Sequence, residues 1–423
     1  MKYINCNSDE ALPLLFNNNV FLTGPPGSGK SYLTNNYIKA LKLDKIKVAI
    51  TASTGIAAKI INGTTLHSWA GIGLAQNSKE KLLEDIKNNK YKKRNWNKTQ
   101  VLIIDEISMI SLELWSILNY IGKNIRKSQL PFGGIKILAV GDFFQLPPVK
   151  GQMLIEDNQT FESYFDYAIY LNQKFRSNDD NLNNILDCIR NGNKLSKEHN
   201  VLLKSKVDKE NIKYPILVSL RDSARDMNIQ KLNLLPSLEH KFQCDVYCIN
   251  TKTGVKLNGS QYDSIKKIAF GECALENELT LKIDAPVIYL VNDPKLGLVN
   301  GSVGIIKEFR NSNPVVKFDL ITIEIEKHSY KKEFNDVTVI VEQYPLLLAY
   351  SLTIHRAQGQ TLSQGSILLD NTVWEEGQAY VALSRLRHLD NLTLLKYRKK
   401  VFKTSSKVRE FYNKFTNQNN LVV

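Results

Sequence analysis

Three stretches of the chain hold side chains whose types and spacing suit phosphate chemistry. The first, residues 24–31, fits G-x-x-x-x-G-K-[ST], with Gly24, Gly27, Ser28 and Gly29 leading into Lys30 and Ser31. Glycines let a backbone curl until several N–H groups converge on phosphate oxygens, and a following helix adds the partial positive charge of its amino end. Lys30 is then placed for the β- and γ-phosphates, and Ser31 for Mg²⁺. The second, residues 101–106, is four apolar residues followed by Asp105 and Glu106. Such a run reads as a buried strand whose carboxyl end delivers acids to a ligand crevice. Asp105 suits a metal ion held through water, and Glu106 suits orienting and deprotonating an attacking water. An Asp-Glu pair means little alone; the loop upstream gives it weight. The third, residues 140–148, carries Gln145 in a proline-stiffened loop just beyond Gly141 and Asp142. An amide there can touch a γ-phosphate and a neighbouring element together, and so report whether triphosphate or diphosphate is bound.

These groups need a sheet to hold them. Apolar runs at 20–22, 48–51, 101–104 and 135–140 read as strands, and Leu33, Tyr37, Ile38 and Leu41 as the buried stripe of a helix after the glycine loop. The first 170 or so residues therefore alternate strand and helix, as a doubly wound α/β domain does. A lysine-rich helical stretch from 78 to 98 interrupts them. A second αβ region starts near Arg176. From about 285 to 344 the texture changes to short β-branched runs at 287–291, 303–306, 315–318, 321–325 and 337–341, read as a small β-barrel inserted into that region. The αβ pattern resumes at Leu346 and ends in a basic helical tail. No internal sequence repeat stands out.

Composition bounds the class. The 423 residues leave room for two or three domains, and 43% hydrophobic residues with mixed charge mark a globular chain. No apolar stretch reaches the ~18 residues of a membrane span, and no signal-peptide core follows Met1, so an intracellular protein is expected. Five scattered cysteines suggest neither a zinc site nor a disulfide framework. A net charge of +14 suits a polyanionic partner, because neutralising phosphates releases counterions.

Taken in order, TGPPGSGKS, TASTGIAAKIINGTTLHSWAGIG, LIIDEISMI, PFGGIKILAVGDFFQLPPV, LNQKFRSNDD, LVNGSVGII, LTIHRAQGQT and EEGQAYVALSR resemble the helicase motifs of the Pif1 group, within the Pif1/RecD-like branch of superfamily 1. The resemblance runs from about Asn19 to Leu394. It includes residues 111–131, which are similar to the group's own signature segment. It implies two RecA-like P-loop NTPase domains with a small inserted wedge subdomain and an inserted SH3-like β-barrel. The boundaries it implies are 1–172 for the first domain, with the wedge at about 69–98. The second domain takes 173–284 and 345–423, and the barrel 285–344. The cofactors implied are ATP and Mg²⁺.

The same resemblance assigns further residues. Arg176 and Arg385 match the family's arginine fingers, whose guanidinium stays charged and fits phosphate oxygens. Thr54, Gly55, Thr64, Leu66, His67, Ser68, Thr353, His355, Gln358 and Gly359 match segments that line a single-strand channel, gripping a backbone without reading its sequence. The implied activity is ATP-driven 5′-to-3′ movement along single-stranded DNA with unwinding of tailed duplex DNA in replication, repair or recombination, by a monomer. A translocase that acts on RNA, or that does not unwind, is the alternative. The family's adenine-reading Gln has no counterpart in residues 7–11, which leaves base selectivity open.

Overall fold

The strands that the phosphate chemistry needs lie side by side in one sheet. Its members are Lys2–Cys6 (β1), Val20–Thr23 (β2), Val48–Ala52 (β3), Thr64–Thr65 (β4), Val101–Asp105 (β5), Lys136–Val140 (β6) and Tyr167–Leu171 (β7). They follow the order β1-β7-β2-β6-β5-β3-β4, and each neighbouring pair is parallel. The computed structural model describes residues 1–417 except 74, 174–178, 252, 273–274, 292, 294–295, 299–300, 320 and 335.

Parallel strands sealed on both faces by helices read as unbroken apolar runs, and β2, β5 and β6 do so. They are consecutive neighbours apart from the order of insertion, so the loops leaving their carboxyl ends open onto a common crevice. The helix Lys30–Leu43 buries Leu33, Thr34, Tyr37, Ile38 and Leu41, and packs this stripe on Val20, Leu22, Val101, Ile103 and Leu138. β1 and β7 were not among the expected strands. β1 is a short edge strand with mixed burial, a weaker signal than a continuous apolar run.

The lysine-rich interruption is two helices, Lys79–Lys87 and Lys90–Lys98. They turn Leu82, Leu83, Ile86 and Trp96 inward and leave most of their charges in solvent. Trp96 anchors the pair: its indole N–H donates to the Ala70 carbonyl at 3.0 Å, and its ring centroid lies 4.6 Å from that of Trp69.

A second set of parallel strands, Ile216–Val218, Gly365–Leu369 and Leu392–Tyr397, supports the helices Asp180–Arg190 and Gln378–Leu383. The closing helix, Ser406–Asn417, returns to the first sheet. Phe411 packs edge-on against Phe143 and Tyr3, and the Tyr412 hydroxyl lies 2.5 Å from the Thr23 hydroxyl, just before the glycine loop. All of this belongs to one compact unit, Met1–Ser219 with Thr353–Val423.

The other compact unit, Leu220–Leu352, is rich in antiparallel strands. One sheet runs Thr322–Glu324, Asn313–Lys317, Val303–Arg310, Pro286–Tyr289 and Leu346–Leu348. Its core joins Val287, Ile306, Val316 and Phe318 to Leu232, Leu279 and Leu281, so the packed unit reaches back well before residue 285. Val337–Gln343 departs from the barrel reading. It pairs with Asp245–Asn250 on one side and His328–Phe334 on the other, in a separate four-stranded sheet. Val339 and Val341 face Cys248 and Ala269 there, contacts that no local pattern announces. Among the described residues, no helix is long and apolar enough to cross a membrane.

Candidate active site

The carboxyl ends of β2, β5 and β6 border a cavity of about 810 Å³. The glycine loop supplies Gly27, Gly29, Lys30 and Ser31 to its lining, β5 supplies Asp105 and Glu106, and the loop after β6 supplies Gly141 and Gln145. Gly359 and Thr361, from the segment before Gly365–Leu369, and Arg385, just after the helix Gln378–Leu383, line it from the other side. Such a volume suits a nucleotide.

The loop's glycines are required by geometry at two points. Gly29 caps the helix in the left-handed region, at φ 90°. A Cβ on Gly24 would lie 2.6 Å from the Leu171 carbonyl oxygen, inside the parallel sheet. Gly24 and Ser28 are buried in the loop and shape it, whereas Ser31 is exposed on the first turn of the helix. The Lys30 ammonium donates to the carbonyls of Gly24 and Pro25, at 2.6 and 2.9 Å. It is held over the loop by exchangeable hydrogen bonds.

Asp105 and Glu106 sit in adjacent backbone positions at the end of β5, and Glu106 takes the left-handed conformation at φ 52°. A non-glycine residue there is strained, and strain of this kind gathers at functional sites. Burial and the neighbouring Glu106 carboxylate push the Asp105 pKa up to about 7, against the opposing pull of the Glu106 N–H and of Lys30. A partly buried acid pair of this kind is eased by a cation.

Gln145 is buried, and its side-chain carbonyl has no partner among the described residues. The loop that carries it is anchored through Asp142. That carboxylate, fully buried, accepts from Arg190 at 3.0 and 3.2 Å, from the Tyr412 hydroxyl at 3.2 Å and from the Tyr380 hydroxyl at 3.4 Å. Burial opposes the Arg190 charge, but Asp142 outweighs it and holds the guanidinium proton more tightly than usual. Arg190 also lies over the Phe144 ring, at 4.3 Å. Sequence reasoning missed this clamp, since Asp142 and Arg190 are 48 positions apart.

Arg385 is 2% exposed. Its guanidinium donates to the Val381 carbonyl, the Gln360 carbonyl and the Ser384 hydroxyl, at 2.9, 3.1 and 2.8 Å. Arg176, the other expected finger, lies outside the described residues. Arg387, Gln173, Asn7, Ser8 and Asp9 also line the cavity and were not read from the sequence as site residues. Arg387 could have been suspected from its place two residues after Arg385.

The residues expected on a nucleic-acid strand form two similar turns. Thr65 accepts from the Ser68 N–H and caps the helix Leu66–Ala70, while Thr353 accepts from the Arg356 N–H and caps Ile354–Ala357. Thr64 and Ser68 are exposed, but Leu66 is fully buried and contributes packing. Burial lowers the His67 pKa and so favours the neutral ring. His355 Nε2 lies 3.0 Å from a Glu375 carboxylate oxygen. Thr54 accepts from the Ala57 N–H and starts the helix that Gly55 enters. Gly359 lines the cavity, and Gln358 sits beside it against Glu106. Gln358 is 2% exposed and its amide donates to Glu106 at 3.0 Å.

Comparison with known proteins places this geometry. The family model described as PIF1-like helicase matches residues 11–193. The chain is 33% identical to the ATP-dependent DNA helicase Pif1 of Bdellovibrio bacteriovorus, over 94% of this chain and 88% of that one. Its fold is similar to a crystal structure of Pif1 helicase from Candida albicans, with a TM-score of 0.83 and 33% identity over 98% of both chains. It also resembles Pif1 helicase from Bacteroides solved with ADP-AlF3 and ssDNA, with a TM-score of 0.75 and 25% identity over 98% of this chain and 97% of that one. The chain spans about 65% of the length of other curated relatives that it matches, such as the one from Xenopus laevis, to which it is 33% identical over 97% of its own length.

Proposed function

The chain belongs to the PIF1-like helicase family, and on that premise we propose that it is an ATP-dependent motor that moves 5′ to 3′ on single-stranded DNA and unwinds tailed duplex DNA. One observation carries the reading: Lys30, Asp105, Glu106 and Arg385 line a single cavity, and the segment that leaves its edge at Gly359 leads back to the Thr353–His355 turn. Further support comes from the Bacteroides relative, solved in complex with ADP-AlF3 and ssDNA.

The chemistry follows from the residues in place. The triphosphate takes the loop N–H groups, and Lys30 exchanges its loop carbonyls for phosphate oxygens. Glu106 accepts a proton from the attacking water. Arg385 exchanges its carbonyl partners for the γ-phosphate, and Arg176 is proposed to join it. Mg²⁺ fits the donor set: the Ser31 hydroxyl and the Asp105 carboxylate are hard oxygen ligands, and Asp105 is buried beside a like charge. When bound, the ion would neutralise charge on the β- and γ-phosphates.

Hydrolysis removes the group that both walls contact, so the walls separate, and alternating closure moves the grip along the strand. Separating a base-pair step costs about 1.4 kcal/mol, within reach of such a cycle. Thr64, Ser68 and Thr353 supply hydroxyls for the phosphate backbone, and the helices Lys79–Lys87 and Lys90–Lys98 serve as the wedge. The sheet around Val303–Arg310 takes the part of the SH3-like domain. A monomer on DNA is the proposed working form.

Strand displacement tests the reading. A duplex with a 5′ tail should be opened and one with a 3′ tail left intact, with ATP and other triphosphates compared. Equal opening of both substrates, or none with hydrolysis intact, would overturn polarity or unwinding respectively.

A further inference from the structure

Glu106 is touched by a side chain 252 positions away. Gln358 is 98% buried, and its amide nitrogen donates to one Glu106 carboxylate oxygen at 3.0 Å and faces the Ser108 hydroxyl at 3.4 Å. The other Glu106 oxygen is turned toward Gly359, where a Cβ would lie 3.6 Å from it. Gly359 sits at φ 82°, in the left-handed region, which lets the chain reverse direction immediately after Gln358.

The Gln358 carbonyl oxygen is buried without a partner among the described residues. A buried amide with one end unsatisfied is destabilising where an apolar side chain of equal size would not be. Its donor end therefore has a function that an apolar side chain could not fill. That donor sits on a segment with contacts at both ends. Upstream, Thr353 caps the turn that holds His355. Downstream, the Gln360 carbonyl accepts from Arg385 at 3.1 Å. The stretch 353–360 thus runs from the turn proposed to grip the strand, past the proposed base, to the proposed finger.

We propose that Gln358 is a positioning residue that couples strand binding to hydrolysis by fixing one oxygen of the Glu106 carboxylate and leaving the other for the attacking water. The inference rests on the function proposed above. A strand seated on the 353–356 turn shifts the segment, and Gln358 carries that shift to Glu106. Gln358 itself touches neither strand nor nucleotide. It acts through Glu106.

Two variants test this. Gln358→Met keeps the volume and removes the donor. Gln358→Asn keeps an amide but withdraws it by one methylene, a milder change in a buried site. Each is assayed for ATP turnover with and without saturating single-stranded DNA, for KM, and for affinity for a fluorescent oligonucleotide without nucleotide. In both variants, strand-stimulated kcat should fall about tenfold or more toward the unstimulated rate, a smaller loss than the roughly 10²–10⁴-fold contribution of a general base itself. KM for ATP and oligonucleotide affinity should stay within about twofold of wild type. Unchanged stimulated kcat in a folded variant overturns the proposal. So does a tenfold loss of oligonucleotide affinity with kcat intact, which would make Gln358 a strand contact. A wild-type protein whose hydrolysis ignores DNA would refute the proposed function itself, a separate outcome visible before any variant is made.

Discussion

The two walls of the cavity are built differently. On the first, Lys30 opens the helix after β2, and Asp105 and Glu106 stand at the end of β5, with β6 between the two strands; each is delivered by a short stretch of local sequence. On the second, Arg385 is buried and tied to Val381, Gln360 and Ser384 of its own surroundings. In the proposed mechanism the first wall is ready for phosphate, whereas the second must release internal hydrogen bonds to reach it. The motor proposed above would need that asymmetry, since a group that engages only with triphosphate present can report its loss.

The comparison can be broken most sharply at Arg385. Arg385→Ala should lower strand-stimulated kcat by about 10³–10⁵, the range for arginine fingers, with nucleotide binding retained. Arg385→Lys should recover little, because a lysine cannot reproduce the fork. Steady-state hydrolysis and nucleotide-binding titrations check both. On the first wall, Glu106→Gln should cost about 10²–10⁴ in turnover, the range for a general base, and leave strand affinity near wild type.

The clamp behind Gln145 sharpens the comparison through stability. Arg190→Met leaves Asp142 buried without its cation and should cost about 3–5 kcal/mol in chemical unfolding. Asp105 gives a pH test. Its native pKa, about 7, lies above the unfolded value of 3.8, so the native state binds the extra proton between these limits. Stability of the metal-free protein should therefore fall as pH rises from about 4 to 7, and Asp105→Asn should flatten that slope. Mg²⁺–ATP affinity should weaken below pH 7 for the same reason. The smallest effect is expected at the half-buried His67. His67→Ala should weaken single-strand binding by about 1 kcal/mol, the low end of base–aromatic contacts.

What the sequence made legible follows the same division. The glycine loop and the Asp105–Glu106 pair are contiguous, and their chemistry needs only a strand and a helix beside them. The central strands were readable because parallel strands sealed on both faces are apolar throughout. The Gln358–Glu106 contact and the Asp142–Arg190 pair were not, because only the fold brings those residues together. Val337–Gln343 shows the same limit: its β-branched pattern announces a strand and says nothing of which sheet will take it. Gln358, read from its motif as a strand contact, is joined by the fold to Glu106, 252 positions away.

The central claim is that both walls act on one nucleotide, and a crystal structure with ADP, aluminium fluoride and a single strand tests it most directly. The Lys30 ammonium and the Arg385 guanidinium should both lie within hydrogen-bonding distance of the same fluoride group. An Arg385 still bound to Val381 and Gln360, with the fluoride contacted by the first wall alone, would contradict the account.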